Sequence, residues 1–502
     1  MKKIVLLFCL FSVLLSFSQK QTYWKSLSLS DKSLNDEVLK ESFDRESVAM
    51  FELDYISLKQ SLIAAPKREL LTKSNVVIQF PNSIGELEEF EMYEASNFEP
   101  SLQALFPEIR SYVGVGVKDK SSRIRISTDP KGITAVVNRP DFPTIYMEPM
   151  DAERTVYSIF KSNRTKGKLP FTCSTVDENI ADEILAQANS FQRSSTGQLL
   201  NFRLAMSVTA EYTNIQHARL ALATPKTSAL SAINTTMTRV NGIFETDFAI
   251  HMNLVNNMTI IYDNGATDPY SGTSDANYNA ALQSTLTSVV GEANYDVGHL
   301  MAGIGNNGNA GCIGCVCVNG SKGSGFTTST VPYGEAFDVD YVAHEIGHQF
   351  GANHTFSHGS EGTGVNKEVG SGVTVMGYAG ITPYDTHLNS IDVFHSASIA
   401  QVQANMASKS CPTVTAITHS APNVNAGADF TIPISTPFML TGSATDAGGT
   451  GGMTYTWEQN DNVGTQTGAN SGARENKTQG PNWSCYPDTS SPIRHFPIIT
   501  ST

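Results

Sequence analysis

One stretch of the chain has side chains at a spacing that could bind a metal ion. It is the undecapeptide HEIGHQFGANH, residues 344–354. On a helix each residue turns about 100°, so His348 lies only about 40° around the axis from His344. Gly351 can adopt a positive φ and end the helix, and the chain can then bring His354 back to the same point. The spacing therefore predicts three imidazoles around one ion.

Three neutral imidazoles and one water molecule form an open tetrahedral site, which is typical of catalytic rather than structural zinc. Nitrogen ligands in this geometry favour zinc over other divalent metals. Glu345 follows the first histidine but lies further around the helix, so it reaches the water instead of the ion. We therefore expect zinc to acidify the water and polarise a carbonyl, while Glu345 takes the proton and passes it to the leaving amine.

The elements around this motif must hold it in place. Apolar residues fall on the side of the helix opposite to the histidines, and we expect them to pack in a core: Val339, Val342, Ala343, Ile346 and Phe350. From about Leu200, segments with strand and helix patterns alternate, which predicts an α/β layer. The predicted strands are 202–210, 250–262 and 297–304, and the predicted helices are 229–244 and 278–290.

The start of the chain has the pattern of a secretory signal peptide. Lys2 and Lys3 precede an apolar run, and small residues follow near Ser18, which predicts a signal peptide over residues 1–18. A membrane anchor is the alternative, but the run is shorter than the ~20 residues that a span needs. No other apolar stretch reaches that length, so we expect a secreted, extracellular protein that is not integral to the membrane.

The region between the signal peptide and the metal motif divides into two parts. Residues 19–72 are polar with scattered leucines, and we expect them to be helical or poorly ordered. From about residue 75 the chain is β-rich, because alternating apolar residues are separated by turn residues. The predicted strands are 76–80, 88–93, 111–117, 123–127, 133–137 and 144–147.

The composition changes again after Cys411. Alternating apolar residues, as in 430–432 and 453–458, predict a small β-sandwich. Asp429 and Asp446 could bind calcium, although ordinary loop aspartates are the simpler interpretation. Strand-like residues just before the end of the sequence suggest a fragment of a longer protein.

The overall charge excludes some partners. The chain has 34 Lys and Arg residues against 48 Asp and Glu residues, which gives a net charge of −14. A surface of this sign argues against nucleic acid and anionic membranes as binding partners. It says little about other substrates.

The zinc motif and the residues after it resemble the metzincin clan of zinc endopeptidases. The clan signature is HExxHxxGxxH followed by a methionine turn, which here is SGVTVMGY, residues 371–378, with Met376. The successive segments HEIGHQFGANHTF, MGYAG and FHSAS are similar to those of bacterial reprolysin-like peptidases. Snake-venom reprolysins have Asp after the third histidine, where this chain has Thr355, so the pappalysin-like branch stays open.

This resemblance implies a secreted zinc endopeptidase that acts on proteins or peptides and is made as a zymogen. It implies an α+β chain in which a two-lobed catalytic domain, residues 198–411, has a twisted mixed sheet and helices. A β-rich propeptide, residues 19–197, would precede it and act as its inhibitor. A small PKD/Ig-like β-sandwich, residues 412–502, would follow it. Met376 would form the hydrophobic floor beneath the zinc, and Tyr378 would approach the metal or the oxyanion.

The cysteines add two expectations. Cys312, Cys315, Cys317 and Cys411 allow three pairings; the resemblance implies Cys317–Cys411, which leaves Cys312–Cys315, and a C-x-x-C-x-C zinc knot is the alternative. Cys173 resembles a cysteine switch, in which a propeptide thiolate fills the open zinc position. An unpaired buried cysteine is the other interpretation of Cys173.

Several further residues are expected to have ordinary roles. The metal signature already supplies three ligands, so we expect His358, His387 and His395 to be surface or packing residues. Cys485 is expected to lack a partner.

Two other functions fit the same residues. One is a secreted binding or adhesion protein with a residual peptidase fold, and the intact Glu345 argues against it. The other is a zinc hydrolase of a different substrate class, such as an amidase. The third histidine and the methionine turn argue against that, as far as the resemblance extends.

Overall fold

The computed structural model describes residues 22–28, 30, 49–70, 72–162, 170–177, 197–272, 274–417 and 421–497. The predicted signal peptide, residues 1–18, lies outside them. Among the described residues, no helix combines the length and the apolar character that crossing a bilayer would require.

Nine antiparallel strands form one sheet in the described residues between 22 and 162, which we call the N-terminal unit. They are β1 (Trp24–Leu27), β2 (Ala49–Leu53), β3 (Val77–Pro81), β4 (Leu87–Glu94), β5 (Arg110–Gly116), β6 (Arg123–Thr128), β7 (Ile133–Asn138), β8 (Ile145–Pro149) and β9 (Val156–Lys161). Their order across the sheet is β1-β2-β9-β8-β7-β6-β5-β4-β3. Two helices, α1 (Tyr55–Ile63) and α2 (Pro100–Leu105), belong to the same unit.

The predicted strands between residues 75 and 149 are confirmed as β3 to β8. The sheet starts earlier than predicted, however, because β1 and β2 lie in the region that we expected to be helical or poorly ordered. β2 lies inside the sheet between β1 and β9, and Phe51 pairs with Tyr157, more than a hundred residues away. Such long-range pairing stabilises a strand whose own sequence shows only a weak alternation.

The region that contains the metal motif is built on a mixed sheet. Its strands are β10 (Thr172–Cys173), β11 (Gln198–Val208), β12 (Ile250–Leu254), β13 (Val297–Ala302), β14 (Asn306–Asn309), β15 (Gly325–Ser329) and β16 (Thr413–Ala416). The order is β10-β14-β15-β13-β11-β12, with β16 beside β11. β11, β12, β13 and β15 run parallel, whereas β14 is antiparallel to β15. The short β10 joins the edge of the sheet parallel to β14.

Five helices pack on this sheet. They are α3 (Ala210–Leu220), α4 (Pro225–Phe248), α5 (Tyr278–Val289), α6 (His344–Phe350) and α7 (Ser396–Ala407). α4 and α5 confirm the two predicted helices, while the strand predicted over 250–262 ends at Leu254. A π-helical segment, Ala336–Ala343, leads directly into α6. The five apolar residues predicted opposite the histidines all lie in the core of this region.

The helix α4 lies between the two sheets. It begins at Thr224, whose side chain accepts from the Thr227 N–H, and Pro225 occupies its first turn, where a missing N–H costs nothing. One side of α4 adds Met237 and Val240 to the core of the mixed sheet. Its other side contacts the N-terminal unit, where Arg125 of β6 pairs with Glu245 at 2.6 Å.

The C-terminal residues form less sheet than the predicted sandwich needs. The described residues hold two pairs of short strands: β17 (Asn423–Asn425) with β19 (Ser443–Thr445), and β18 (Phe438–Thr441) with β20 (Ile493–Phe496). Residues 430–432 form no strand, and Phe430 remains 72% exposed. Apolar residues without an opposing sheet cannot form a sandwich core, so the sandwich stays a prediction.

Candidate metal centre

The structure brings the three histidines of the motif together. His344 and His348 lie one turn apart on α6, which ends at Gly351 with φ of +118°. The chain then reverses, and His354 Nε2 comes to 3.1 Å from His348 Nε2. The ring centroids of His344 and His354 are 5.2 Å apart. All three imidazoles are buried, so their convergence depends on the fold and not on solvent-exposed rotamers.

Backbone carbonyls orient the first two rings. Nδ1 of His344 lies 2.7 Å from the Val375 carbonyl, and Nδ1 of His348 lies 2.7 Å from the Ala352 carbonyl. A ring that donates from Nδ1 keeps its Nε2 lone pair free for a metal. Burial and the neighbouring His354 lower the pKa of His344 to about 3, so this ring is neutral. Its Nε2 is buried without a hydrogen-bond partner, as expected of an atom that binds an ion.

Carboxylates face the third imidazole. His354 Nδ1 lies 3.0 Å from an oxygen of Asp177 and 3.4 Å from an oxygen of Glu361. Burial raises the pKa of Glu361 to about 6. These are ion-pair distances, and His354 Nδ1 has no hydrogen-bond partner among the described residues. A carboxylate behind a histidine raises the basicity of the ring toward a metal. Neither Asp177 nor Glu361 was among the residues predicted from the sequence.

Glu345 lies beside the histidines and is fully buried. One carboxylate oxygen accepts from the Thr175 hydroxyl at 3.0 Å, and the other has no hydrogen-bond partner. Burial raises the pKa of Glu345 to about 8, which places its titration close to neutral pH. Gly308 of β14 makes room for this carboxylate, because a Cβ there would overlap Glu345 Oε1.

Cys173 completes the group from the opposite side. Its Sγ lies 3.7 Å from His348 Nε2, and the ligand atoms of Cys173 and the three histidines lie within 4.8 Å of one another. The pairing of β10 with β14 holds it there. A thiol and three imidazoles are a donor set that suits zinc, so the residues present fit the ion that the motif implies.

Met376 and Tyr378 also lie at this centre. Met376 is fully buried beneath α6, and its sulfur lies 2.8 Å from the position that a Cβ on Gly347 would take. The Tyr378 ring centroid is 4.6 Å from that of His354. Burial and the neighbouring Cys173 raise the pKa of the Tyr378 hydroxyl well above its usual range, so the group is a neutral hydrogen-bond donor.

The segment of residues 170–177, which we call the cleft segment, touches the centre at alternate positions. Cys173 meets the histidines, Thr175 meets Glu345 and Asp177 meets His354. Side chains two apart on an extended chain point to the same side. The spacing from Cys173 to Asp177 was therefore a signal that could have revealed Thr175 and Asp177.

The remaining cysteines pair as the resemblance implied. Cys312 is bonded to Cys315 and Cys317 to Cys411, with Cα separations of 5.7 and 6.0 Å. The longer loop ties the chain before α6 to the end of the mixed sheet region. Cys485 is free and buried.

The other candidate ligands lie elsewhere or have other partners. His395 is buried and caps α7 by accepting from the Ala397 N–H at 3.0 Å. His358 stacks on Phe356 with ring centroids 4.1 Å apart. Within the described part of the chain, neither Asp429 nor Asp446 belongs to a group of three side chains that could hold a metal. The expectation of calcium therefore finds no support.

Comparison with known families supports the same chemistry. Residues 202–407 match the model of a family described as metallo-peptidase family M12B, reprolysin-like. No curated protein matches the chain. The match spans β11 to α7 and includes all three histidines, and it supports a metzincin-type, metal-dependent peptidase for this part of the molecule.

Proposed function

We propose that the chain is a zinc-dependent endopeptidase that cleaves proteins and is exported as an inactive precursor. The observation that carries the proposal is the convergence of three buried imidazoles beside the unpaired carboxylate oxygen of Glu345. The metallopeptidase match over residues 202–407 supports the reaction class. His344, His348 and His354 would hold the zinc ion, which when bound supplies a Lewis acid that acidifies water and polarises a carbonyl.

Glu345 is the general base of the proposed reaction. Its carboxylate takes a proton from water as the water oxygen attacks the peptide carbonyl carbon. It then delivers that proton to the departing nitrogen as the C–N bond breaks. One oxygen of the Glu345 carboxylate has no hydrogen-bond partner, which leaves it available to accept a proton from water.

Tyr378 is the second catalytic residue of the proposal. Its neutral hydroxyl can donate to the carbonyl oxygen as negative charge develops on it, and a fixed donor of this kind stabilises the transition state. The packing of its ring against His354 and Phe356, at 4.6 and 4.5 Å, holds the donor in place.

The substrate would be an extended polypeptide. β14 is an edge strand of the mixed sheet apart from its two-residue pairing with β10. A peptide that replaces β10 can hydrogen-bond to the same backbone edge, as in other cases of strand addition. This supports cleavage within protein chains and not at a small amide.

The cleft segment would keep the precursor inactive. The Cys173 thiol lies where a water molecule or a substrate carbonyl would approach the histidines. The Thr175 hydroxyl donates to Glu345 at 3.0 Å, so one oxygen of the proposed general base is already hydrogen-bonded. We therefore assign residues 19–197 as the propeptide, 198–411 as the catalytic domain and 412–502 as an accessory domain. The predicted signal peptide would direct export.

The test is hydrolysis of casein and of a quenched fluorescent peptide by the processed protein. A chelator should abolish hydrolysis, and added zinc should restore it. Glu345→Ala should lower kcat by about 10²- to 10⁴-fold and leave bound zinc unchanged. Glu211→Ala, in the first turn of α3, is the matched control. Hydrolysis by Glu345→Ala at the wild-type rate would overturn the assignment. Binding of proteins without cleavage would instead favour an adhesion protein.

A further inference from the structure

A buried carboxylate outside the catalytic set joins two loops of the metal centre. Glu368 is only 1% exposed. It accepts from the Thr355 hydroxyl at 2.6 Å and from the Val373 N–H at 2.8 Å. It also accepts from the Thr374 N–H at 3.1 Å and from the Thr374 hydroxyl. Four donors from two separate loops therefore converge on one side chain.

Each of these loops supports a different histidine. Thr355 directly follows His354, and its own N–H donates to the Met376 carbonyl at 3.1 Å. Thr374 directly precedes Val375, whose carbonyl accepts from His344 Nδ1 at 2.7 Å. A shift of either loop would therefore displace a group that orients an imidazole. Glu368 therefore binds Thr355, the neighbour of His354, and Thr374, the neighbour of the Val375 carbonyl that orients His344.

The environment of Glu368 indicates a positional role. Among the described residues, no Lys, Arg or His forms an ion pair with its carboxylate, although Glu368 acts electrostatically on His387. A buried charge is costly unless hydrogen bonds stabilise it, and here the donors are hydroxyls and the backbone of the methionine turn. Only an acceptor with two oxygens can serve all four donors at once. An amide in the same place would turn its NH₂ group toward some of them.

We propose that Glu368 is a positioning residue that orients His344 and His354 and thereby sets the affinity of the centre for zinc. The hydroxyl of Thr355 donates to this carboxylate. Thr355 is also the residue at which the sequence departs from the snake-venom type. The inference rests on the proposed function only in that the three histidines hold zinc.

The test measures zinc affinity of the full-length chain by competition with a chromophoric chelator. Glu368→Gln should bind zinc about 10- to 100-fold more weakly than wild type. The d–d absorption bands of the Co²⁺-loaded protein should also shift, because they report ligand geometry. Asp268→Asn is the matched control: Asp268 is a buried carboxylate that accepts from the Ala210 and Tyr270 N–H groups. The control should lower stability and leave zinc affinity unchanged.

Variants of the donors keep the proposal falsifiable if Glu368→Gln does not fold. Thr355→Val and Thr374→Val each remove one donor, and each should weaken zinc binding several-fold. The double variant with Glu368→Gln should be less than additive, since the groups act through one carboxylate. Variants that lose thermal stability but keep wild-type zinc affinity and Co²⁺ spectra would overturn the proposal.

The two proposals fail in different ways. A processed wild-type chain, cut after the cleft segment, that binds zinc but hydrolyses no protein would overturn the proposed function alone, since zinc affinity does not require turnover. A wild-type chain that binds no zinc would overturn both.

Discussion

Each imidazole of the centre has its Nδ1 turned outward to a partner, and these partners determine what the Nε2 atoms can do. Two of them are carbonyls, of Val375 and Ala352, and the third is the carboxylate pair Asp177 and Glu361. A backbone carbonyl can only accept a hydrogen bond, so these two carbonyls fix His344 and His348 in the tautomer that carries its proton on Nδ1. The third ring instead has an anionic partner, which makes it the stronger electron donor.

At this scale Tyr378 gives a prediction. Tyr378→Phe removes a donor but keeps the ring that packs against His354 and Phe356. We expect kcat to fall by about 10²-fold, the typical cost of one oxyanion donor, with little change in KM or in bound zinc. Steady-state hydrolysis of a quenched peptide by the processed enzyme measures both constants. A variant with unchanged kcat would remove Tyr378 from the catalytic set.

The sequence predicted His344, Glu345 and His348 because helix periodicity is local and these three residues fall within five positions. It predicted His354 because Gly351 can end the helix and let the chain reverse. It missed Asp177, Glu361 and Glu368 for the opposite reason. Asp177 is separated from His354 by 177 positions, so only its alternate spacing from Cys173 could have indicated it, and only once Cys173 was placed at the centre. Glu368 looks like any loop glutamate until the methionine turn folds over it.

At the scale of elements, α6 packs closely against its neighbours because its one glycine, Gly347, has no side chain. A Cβ on Gly347 would lie 2.8 Å from Met376 Sδ and 3.0 Å from the Phe394 ring. The helix and the methionine turn therefore pack through a position with no side chain. This close approach explains why a helical residue of poor propensity stands between two metal ligands.

Gly347→Ala should consequently behave unlike an ordinary helix substitution. Glycine to alanine inside a helix normally stabilises by about 1 kcal/mol, whereas overpacking a core costs about 1–3 kcal/mol. We expect net destabilisation by about 1–2 kcal/mol together with weaker hydrolysis. Denaturant unfolding and the peptide assay measure the two effects. A more stable and fully active variant would contradict the packing described here.

His299 links α6 to the sheet and predicts an acid-sensitive step. The buried ring of this β13 residue lies 2.8 Å from Gln349 Oε1 and 2.9 Å from the Thr327 hydroxyl. Burial lowers the pKa of His299 from 6.5 to about 4. The unfolded chain therefore gains a proton first as pH falls, so stability is full above pH 6.5 and is lost between 6.5 and about 4.

His299→Gln should remove this contribution, which is about 3 kcal/mol at 1.36 kcal/mol per pKa unit. Unfolding free energies at a series of pH values from 7 to 4 would show a shallower slope for the variant. His495→Gln, at an exposed histidine, is the matched control. Equal slopes for wild type and His299→Gln would contradict the prediction.

Much of the fold followed from local pattern, and the rest depended on distant pairing. β3 to β8 have clear alternation between turns, and α4 and α5 have helical spacing, so both kinds of element could be predicted. β1, β2 and β9 were missed because they are stabilised by one another across the sheet. The two-residue β10 is too short for any pattern, yet it places Cys173 at the metal centre.

At the scale of the whole molecule, the N-terminal unit and the mixed sheet pack against opposite sides of α4. Glu245 of α4 accepts from Arg68 and Arg125 of the N-terminal unit, at 2.7 and 2.6 Å. Nearby, the Asn97 side chain donates to the Asn234 side chain at 3.1 Å. These contacts do not involve the cleft segment, so the N-terminal unit is held by more than that segment.

Cys173→Ala tests the inhibition in the intact chain. Removing the thiol should open the centre, so the uncut variant should hydrolyse peptide faster than the uncut wild type. It should remain slower than the processed enzyme, because Thr175 still donates to Glu345. Adding Thr175→Val should raise the rate again. Gel electrophoresis must show that the chain is uncut, and no difference among the three uncut proteins would contradict the assigned inhibition.

The ion pairs of Arg68 and Arg125 with Glu245 affect when hydrolysis would begin after the proposed activation. If the proposed activation occurs by a cut between Asp177 and Gly197, the cut would sever none of these contacts, and we expect both halves to stay together after it. Onset of hydrolysis would then lag behind cleavage and would follow the slow parting of the two pieces. Dilution and salt, rather than the amount of nicking protease, would govern how soon the freed enzyme begins to work.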